Sequence, residues 1–320
     1  MNNIFNFDKN SIKIASEFLI SGDVIAFATE TVYGLGADAR SDKAVSKIFK
    51  LKNRPDFNPL IVHVNSLNEV FNYVYKTPLA IKLAEKYWPG PLTLILERKK
   101  ACKISLLVSA GLNSIAIRIP NHKPFLNLLN SSKIPIAAPS ANKSGKLSPT
   151  CANDVRDDFG DNIKMILDDG FTKGGLESTV IDARNDNPIL LRPGLISSEE
   201  IEKNLKVKFL MDNNIIIESP GQLLRHYSPN SKLIINSTLP QDNDAFLTFK
   251  NIKPDKKFSG IQLNLSKKGN LEEVASNLFK MLRKVDKKNP NKIVVAPIPD
   301  KGVGRAINNR LQRASNQNGY

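Results

Sequence analysis

The stretch KLKNRPDFNPLIVHV, residues 50–64, joins a predicted helix to a predicted strand through a short loop that contains two prolines. Residues 41–51 place apolar side chains at helical spacing on one face, namely Ala44, Val45, Ile48 and Phe49. Residues 60–64 form a short apolar run that is typical of a buried strand. Because helices that alternate with buried strands build α/β domains, this stretch predicts that fold class.

The same stretch carries the cations Lys50, Lys52 and Arg54 beside Pro55 and Pro59, which stiffen the backbone. Two interpretations fit this pattern. The cations can face the carbonyl end of the preceding helix, where positive charge is favoured in any protein. Alternatively, Lys52 and Arg54 can hold different oxygens of one polyphosphate. Other parts of the chain have to decide between them.

Length and composition predict a soluble, two-domain globular protein. The chain has 320 residues, of which 41% are hydrophobic and 24% charged. No apolar run approaches the roughly 18 residues that a membrane span needs, and the start MNNIFNFDKNS lacks the basic residues of a signal peptide. We therefore expect a cytoplasmic protein that does not bind membranes.

Cysteine and histidine are too rare for a disulfide framework or a zinc site. The chain has two cysteines, Cys102 and Cys151, and three histidines. We therefore expect any metal to arrive with a phosphate ligand.

The net charge of +15 is concentrated near the C-terminus. Residues 228–320 hold 17 Lys and Arg against 7 Asp and Glu, a net charge of +10. Such a surface favours a polyanion such as RNA, although a general preference for Lys and Asn explains the excess equally well. No aromatic residues alternate with these lysines, so a base-stacking platform is not indicated.

Short apolar runs predict eight strands in a first α/β domain, residues 1–205, and four in a second, residues 230–320. Residues 206–229 are predicted to be a linker or lid, because the triplet SPG at 219–221 marks a break. The second domain also has predicted helices at 271–285 and from about residue 305. The strand candidates of the first domain are VIAFA, PLIVHV, LTLIL, IAIRI, IPIAA, KMIL, STVIDA and PILLR, and those of the second are KLIIN, AFLTF, GIQLNL and KIVVAPIP.

Two glycine motifs permit a weaker alternative, a dinucleotide-binding enzyme. GLGADA, residues 34–39, fits a loose G-x-G-x-x-A pattern with Asp56 beyond it as a ribose-binding acid. Five residues, TETVY, separate its first glycine from the preceding strand, whereas a phosphate-binding turn follows its strand directly. The second motif, GVGRAI at 302–307, has no acidic residue after it. Both matches are weak.

Polar side chains gather at several predicted strand ends. The segment PSANKSGKLSPT, residues 139–150, offers hydroxyls and an amide that can bind an oxygen-rich ligand or lie in a plain surface loop. Arg118 lies in IAIRIP on the face opposite the isoleucines, where either a structural carboxylate or an anionic ligand can pair with it. His63 fits a buried core histidine equally well. Glu177, Ser178 and Arg192 also lie at strand ends, where they can be turn residues.

Cations and hydroxyls at strand ends, without an evident nucleophile and base, favour phosphoryl or nucleotidyl transfer. In that chemistry, positioning and charge neutralisation do most of the work.

Seven segments occur in the order found in the YrdC-type family of threonylcarbamoyl-AMP synthases, and the chain resembles its long, two-domain members. These segments are TETVYGLGADA, KLKNRPDFNPLIVHV, WPGPLTLIL, IAIRIPNH, PIAAPSANKSGKLSPT, GGLESTVID and ILLRPG. The likeness continues through SPGQLLRHYSP and VGRAINNRLQRAS. It implies an α/β fold with a YrdC-like twisted mixed sheet and a concave cleft, plus a smaller Rossmann-like C-terminal domain.

The resemblance also implies the activity. The family makes threonylcarbamoyl-adenylate from L-threonine, bicarbonate and ATP, with release of pyrophosphate, and magnesium is expected to be carried by ATP rather than by protein ligands. A separate transferase complex then uses the product for the t6A modification of transfer RNA. The main alternative from the charge pattern is a non-enzymatic RNA-binding or ribosome-associated protein, and weak tRNA binding is expected as an addition.

Site residues follow from the family's motifs. Lys52 and Arg54 match the catalytic K-x-R pair. Residues implied to bind threonine are Thr31, His63, Arg118, Ala138 and Ser178. Residues implied to bind ATP are Lys52, Arg54, Asn58, Ser114, Ser140, Asn142, Ser148, Arg192, His226 and Tyr227. The chain departs from the family pattern at Gln222, Leu223 and Leu224 in the linker, and at Asp169, where a glycine is more usual.

Overall fold

The computed structural model describes residues 3–210 and 226–316, whose strands form one ten-stranded and one four-stranded sheet. The strands are β1 (Ile4–Asn6), β2 (Ile25–Phe27), β3 (Gly34–Asp38), β4 (Ile61–His63), β5 (Leu92–Glu97), β6 (Ser114–Arg118), β7 (Ile136–Ala137), β8 (Ile166–Asp168), β9 (Thr179–Asp182), β10 (Ile189–Arg192), β11 (Lys232–Ile234), β12 (Ala245–Thr248), β13 (Ile261–Asn264) and β14 (Lys292–Val295).

Helices alternate with these strands, as the α/β prediction requires. They are α1 (Lys9–Ile20), α2 (Asp42–Lys52), α3 (Leu67–Tyr73), α4 (Pro78–Tyr87), α5 (Lys123–Ser132), α6 (Ala152–Phe159), α7 (Ser198–Leu205), α8 (Leu271–Asp286) and α9 (Val303–Ser315), with a short 3-10 turn at Gly160–Asn162. Among the described residues, no helix is both long and apolar enough to cross a bilayer.

The large sheet is mixed, with the strand order β1-β8-β2-β3-β7-β4-β6-β5-β9-β10. Alternation along its strands separates two apolar faces. Ile25 and Phe27 pack with α1 and α5, whereas Ala26 belongs to the main core on the other face. A sheet whose two faces are both covered explains the nearly continuous apolar runs of the sequence.

The central strands β4 and β6 run parallel, with Ile61 opposite Ala116 and His63 opposite Arg118. Ile115, Ile117 and Ile119 all belong to the main core, so the predicted facing of the isoleucines is confirmed. His63 and Arg118 therefore lie side by side on the opposite face of the sheet. This register provides the floor of the cleft described below.

Every predicted strand segment contains a strand, and the structure adds β1 and β3. The β3 segment is the glycine motif of residues 34–39, which pairs antiparallel with β2 and β7. A Cβ atom at Gly36 would lie 2.5 Å from a ring carbon of Phe27 and 2.7 Å from Ile136. These glycines make room for packing within a sheet, so this motif is not the phosphate turn of the dinucleotide interpretation.

The second sheet is entirely parallel, with the order β11-β14-β12-β13. The predicted helix at 271–285 is confirmed as α8, and the last helix begins at Val303, slightly before the predicted start. A parallel sheet combined with α8 and α9 agrees with the predicted Rossmann-like second unit.

The part of the chain that holds the ten-stranded sheet (the first unit) and the part that holds the four-stranded sheet (the second unit) are not independent bodies, because Leu147 and Leu176 of the first unit belong to the apolar core of the second. Charged contacts reinforce the interface: Arg283 lies 2.8 Å from Asp158, and Arg305 lies 3.2 Å from Glu199. Residues 211–225, most of the predicted linker, lie outside the described residues. The domain boundaries at 205 and 229 therefore stay predictions.

Candidate active site

A cleft on the face of the large sheet opposite the main core holds most of the predicted site residues. It holds about 560 Å³ of empty space, part of which is open to solvent, and is called the central pocket below. The side chains from the predicted set that line it are Thr31, Arg54, His63, Arg118, Ala138, Ser140, Ser178, Arg192, His226 and Tyr227.

Arg118 lies at one end of the central pocket and is almost fully buried. Its Nε donates to the carbonyl oxygen of Gly90 at 3.1 Å, and one terminal nitrogen donates to the Thr31 hydroxyl at 3.2 Å. The other terminal nitrogen lies 2.5 Å from Glu30 Oε1, which also accepts from the backbone N–H of Asn121. The structural carboxylate partner, one of the two alternatives for Arg118, is therefore Glu30.

His63 lies beside Arg118 and packs against Phe125, with ring centroids 5.4 Å apart. Burial, followed by the nearby Arg118 charge, lowers the pKa of His63 to about 3. The imidazole is therefore neutral at physiological pH. Within the described chain, its Nδ1 is buried and makes no hydrogen bond. A buried ring nitrogen without a partner is available to a bound ligand.

Lys52, the last residue of α2, turns towards the segment 139–150. Its Nζ donates to the carbonyl oxygens of Ser140, at 2.6 Å, and of Asn142. In return, the N–H of Ser144 donates to the Lys52 carbonyl oxygen at 2.9 Å. The K-x-R and S-x-N segments are therefore tied together, and Lys52 lies directly behind the pocket wall.

The Arg54 side chain forms hydrogen bonds within the proline loop that contains it. It donates to the carbonyl oxygen and side-chain oxygen of Asn58, at 3.0 and 2.6 Å, and to the carbonyl oxygen of Pro59 at 2.7 Å. Among the described residues, no carboxylate lies within ion-pair distance of Lys52 or Arg54. Lys50, in contrast, is exposed.

The environment of these two cations favours the polyphosphate interpretation over the helix-end interpretation. Burial, followed by the Arg54 charge, lowers the pKa of Lys52 well below its usual range. Burial likewise lowers the pKa of Arg54 to about 9. Two buried cations without a carboxylate partner are costly unless an anion neutralises them.

The segment 139–150 is a packed wall rather than a plain surface loop. Ser140 Oγ donates to Asn142 Oδ1 at 2.5 Å, and Asn142 Nδ2 donates to the carbonyl oxygens of Lys143 and Lys146, both at 2.8 Å. Ser140 lines the pocket, whereas Asn142 and Ser148 are buried behind it. Asn142 thus shapes the backbone to which Lys52 is anchored.

Ser178 and Arg192 form the opposite wall. Arg192 donates to the backbone oxygen of Ser178 at 3.0 Å and to its hydroxyl at 3.1 Å, and that hydroxyl also bonds with Thr93 at 2.7 Å. Burial lowers the pKa of Arg192. These bonds hold a third buried cation at the pocket surface.

Glu177 also lines the pocket, although the motifs left its role open. It accepts from the Ser148 hydroxyl and from Arg310 Nε, the latter at 2.9 Å. Burial alone would raise the pKa of this carboxyl, but the charges of Arg310 and Arg192 and these hydrogen bonds lower it to about 2. Its position before a strand was the only signal in the sequence, because its partner lies 133 positions away.

His226 and Tyr227 extend from the end of the predicted linker into the pocket. Their ring centroids are 4.0 Å apart, and Tyr227 also stacks on Phe279 at 5.4 Å. Burial lowers the pKa of His226 to about 3, so it is neutral. Within the described chain, His226 Nδ1 and Tyr227 Oη are buried without a hydrogen-bond partner.

Asn58 and Ser114 lie outside the pocket lining. Because β4 and β6 are parallel and Ile61 pairs with Ala116, Ser114 lies near the start of β4, beside the loop that Arg54 closes. Ser114 precedes Arg118 by four residues, roughly 13 Å along the strand. Their roles in ATP binding stay predictions.

No metal site is formed by the described residues, which contain no group of three or more His, Cys, Asp or Glu side chains placed to hold an ion. The expectation that magnesium arrives with ATP stays a prediction.

Two sites depart from the family pattern. Asp169, where the family more often has glycine, pairs with His122 at 2.9 Å, outside the pocket. The departures at Gln222, Leu223 and Leu224 lie outside the described residues.

Models of two protein families match the chain. The model of the Sua5, YciO and YrdC proteins, described as telomere recombination, matches residues 17–194. The model described as the C-terminal domain of threonylcarbamoyl-AMP synthase matches residues 196–316. Together they cover every strand of the two sheets except β1.

Several known proteins resemble this chain over nearly its whole length. The threonylcarbamoyl-AMP synthase of Pyrococcus abyssi is 38% identical over 322 residues, which cover 95% of this chain and 94% of that protein. The enzyme of the same name from Bacillus subtilis is 40% identical over 320 residues, covering 94% and 92%. The crystal structure of P. abyssi Sua5 complexed with L-threonine superimposes with a TM-score of 0.87 at 35% identity, covering 98% of this chain and 97% of that one.

Proposed function

This chain belongs to the two-domain threonylcarbamoyl-AMP synthase family, and we propose that its central pocket joins L-threonine, bicarbonate and ATP into threonylcarbamoyl-adenylate with release of pyrophosphate. One observation carries the proposal. Lys52 and Arg54 are buried with no carboxylate partner in the described part of the chain, next to a pocket whose other end presents Arg118 and a neutral His63. The pocket thus has a cationic end for a polyphosphate and a separate end for an amino acid.

At the amino-acid end, Arg118 binds the threonine carboxylate. The guanidinium is already oriented by Gly90 and Thr31, so little freedom is lost on binding. Glu30 already contacts one terminal nitrogen of Arg118. The threonine carboxylate therefore either binds Arg118 together with Glu30 or displaces Glu30 from it. His63, being neutral, can approach the threonine amino group without adding charge.

At the nucleotide end, Lys52 and Arg54 bind the phosphates of ATP. The threonine amine combines with bicarbonate to give a carbamate and water, and a carbamate oxygen then attacks the α-phosphorus. The bond from the α-phosphorus to the bridging oxygen breaks, and pyrophosphate leaves with its electron pair. Fixed cations beside the leaving group stabilise the charge that develops there.

Magnesium, when it accompanies ATP, supplies further neutralisation of the phosphate charge. In this proposal Arg192 and Ser140, which line two walls of the pocket, hold the nucleotide. Tyr227 and His226 present buried polar atoms to the same ligand.

One experiment tests the whole proposal. The protein is incubated with ATP, L-threonine and bicarbonate, pyrophosphate release is followed, and the product is identified by mass. We expect release that depends on threonine, together with a mass equal to the adenylate. Release that is independent of threonine, or none, contradicts the proposal and revives the non-enzymatic RNA-binding alternative.

Arg118→Lys is expected to weaken threonine binding while ATP binding persists, because one ammonium cannot reproduce the several directed bonds of the guanidinium. Calorimetric titration of each ligand measures the two affinities. Arg40→Lys is the matched control, because Arg40 pairs with Asp38 outside the pocket. Equal losses of both affinities in the Arg118 variant would assign it a structural role.

ATP binding is expected to take up a proton in the pH range between the pKa values of Lys52 in the free and the ATP-bound protein. Burial lowers the pKa of Lys52 in the free protein, and phosphate charge raises it again. Between these two pKa values, the free lysine is neutral and the bound one charged. Calorimetry of ATP binding in two buffers with different ionisation enthalpies detects the uptake, and Lys52→Met should abolish it. Equal heats for the unaltered protein in both buffers would contradict the assignment.

We also propose that the product passes to a transferase complex acting on tRNA, and that the second unit attracts RNA weakly. Its charge supports this, because many of its lysines are exposed. These are Lys232, Lys250, Lys253, Lys256, Lys257, Lys267, Lys268, Lys280, Lys284, Lys287, Lys288 and Lys301. Binding of tRNA to the full chain should fall steeply as salt rises. If tRNA does not bind even at low salt, the +10 charge reflects the general preference for Lys and Asn rather than RNA binding.

A further inference from the structure

Arg310 belongs to α9 of the second unit, yet its side chain is completely buried against the first. Its Nε donates to Glu177 Oε2 at 2.9 Å, and one terminal nitrogen donates to the carbonyl oxygen of Pro193 at 3.0 Å. The guanidinium also lies over the Tyr227 ring, 5.1 Å from its centroid. It therefore contacts two residues that line the central pocket, Glu177 and Tyr227.

Glu177 links this arginine to the nucleotide end of the pocket. Its second oxygen accepts from Ser148, a residue matched to ATP binding by the family motif. Among the described residues that line the pocket, Glu177 is the one carboxylate. An unpaired negative charge at that position would repel the phosphates that the surrounding cations attract.

We propose that Arg310 is a positioning residue for ATP, which neutralises Glu177 and, through it, fixes the Ser148 hydroxyl at the nucleotide end of the pocket. This inference rests on the proposed function. It makes the second unit part of the active site, because one of its side chains sets the charge of the pocket. The expected consequence lies in ATP binding rather than in the chemical step.

The other arginines that face the first unit provide comparisons. Arg283 bonds Asp158 and the backbone oxygens of Leu147 and Ser148, and it contacts no side chain that lines the pocket. Arg305, on the same helix as Arg310, pairs with Glu199 at a half-exposed site. Loss of Arg283 loosens the interface, whereas loss of Arg305 removes only surface charge.

The test compares Arg310→Met, Arg310→Lys, Arg283→Met and Arg305→Met, each with and without Glu177→Gln. Initial rates give KM for ATP and kcat separately, and thermal unfolding checks that each variant is folded. We expect Arg310→Met to raise KM for ATP on the order of 10-fold to 100-fold, because a buried charge pair loses one partner. Arg310→Lys should recover part of this loss, and Arg305→Met should leave KM unchanged.

The decisive measurement is the double variant. If Arg310 acts by neutralising Glu177, Glu177→Gln should restore ATP binding in the Arg310→Met background by about tenfold, since it removes the unpaired charge. The same substitution should not rescue any loss caused by Arg283→Met. Absence of rescue, or equal KM increases in Arg310→Met and Arg283→Met, would overturn the inference and reduce Arg310 to an interface contact. An inactive unaltered protein would instead contradict the proposed function.

Discussion

Lys52→Met is expected to lower the turnover of adenylate formation by a factor on the order of 100 or more, as removal of a charge that stabilises a transition state usually does. Arg54→Met should have an effect of the same order. Both side chains are buried beside the pocket without a carboxylate partner among the described residues, so bound phosphate is the natural counter-charge. Steady-state pyrophosphate release measures the loss.

Methionine is chosen because it keeps most of the side-chain volume while it removes the charge. Lys50→Met is the control, because Lys50 lies on the same helix but is exposed, and its turnover should be unchanged. Thermal unfolding of the Lys52 variant separates lost chemistry from lost structure. Lys52→Met removes a costly buried charge but also the hydrogen bonds of Lys52 to Ser140 and Asn142, so its unfolding temperature is compared with that of the unaltered protein without ATP before the lost turnover is assigned to chemistry. Near-normal turnover in both active-site variants would remove these cations from the mechanism.

Which side chains of the central strand β6 point towards the core could be predicted from the alternation of apolar and other residues alone. Ile115, Ile117 and Ile119 had to share the core, so Arg118 had to lie on the other face. The neighbouring position of His63 depended on the parallel register of β4 and β6, which a single sequence does not encode locally. Family motifs supplied that pairing instead, by assigning both residues to one ligand.

The glycine-rich strand β3 could not be predicted from β propensity, because glycine weakens isolated strands. Gly36 is needed where the Phe27 ring crosses the neighbouring strand, and only the assembled sheet shows that contact. The partner of Arg118 was likewise open. A carboxylate was expected on chemical grounds, but Glu30 reaches it through the fold rather than through proximity in sequence.

Charge pairs between the two units were the feature that the sequence predicted least well. Glu177 and Arg310 are 133 positions apart, and neither belongs to a pattern whose period or spacing marks the other. Most of the linker or lid predicted at residues 206–229, including the SPG triplet at 219–221, lies outside the described residues, so the lid stays a prediction. His226 and Tyr227, at its C-terminal side, do reach the pocket, which supports a contribution of this segment to nucleotide binding.

A chain that ends at Leu205 is expected to stay folded but to bind ATP at least about tenfold more weakly, since each lost hydrogen-bonded contact costs about 1 kcal/mol and 1.4 kcal/mol is tenfold. All ten strands of the large sheet lie before this residue, so the main core is retained. The pocket loses His226 and Tyr227, and Glu177 loses Arg310. Leu147 and Leu176 become exposed, so stability should also fall.

The shortened chain should also release more AMP for each adenylate formed. A mixed anhydride reacts with water, and a pocket without one of its walls excludes water less well. Circular dichroism checks folding, calorimetry gives the ATP affinity, and chromatography gives the ratio of AMP to adenylate. The full-length variant with His226→Ala and Tyr227→Ala is the matched control, because it opens the same wall while Arg310 remains. If the shortened chain binds ATP and retains its product as the full chain does, the second unit has no part in the site, and the Arg310 bridge serves only to hold the two sheets together.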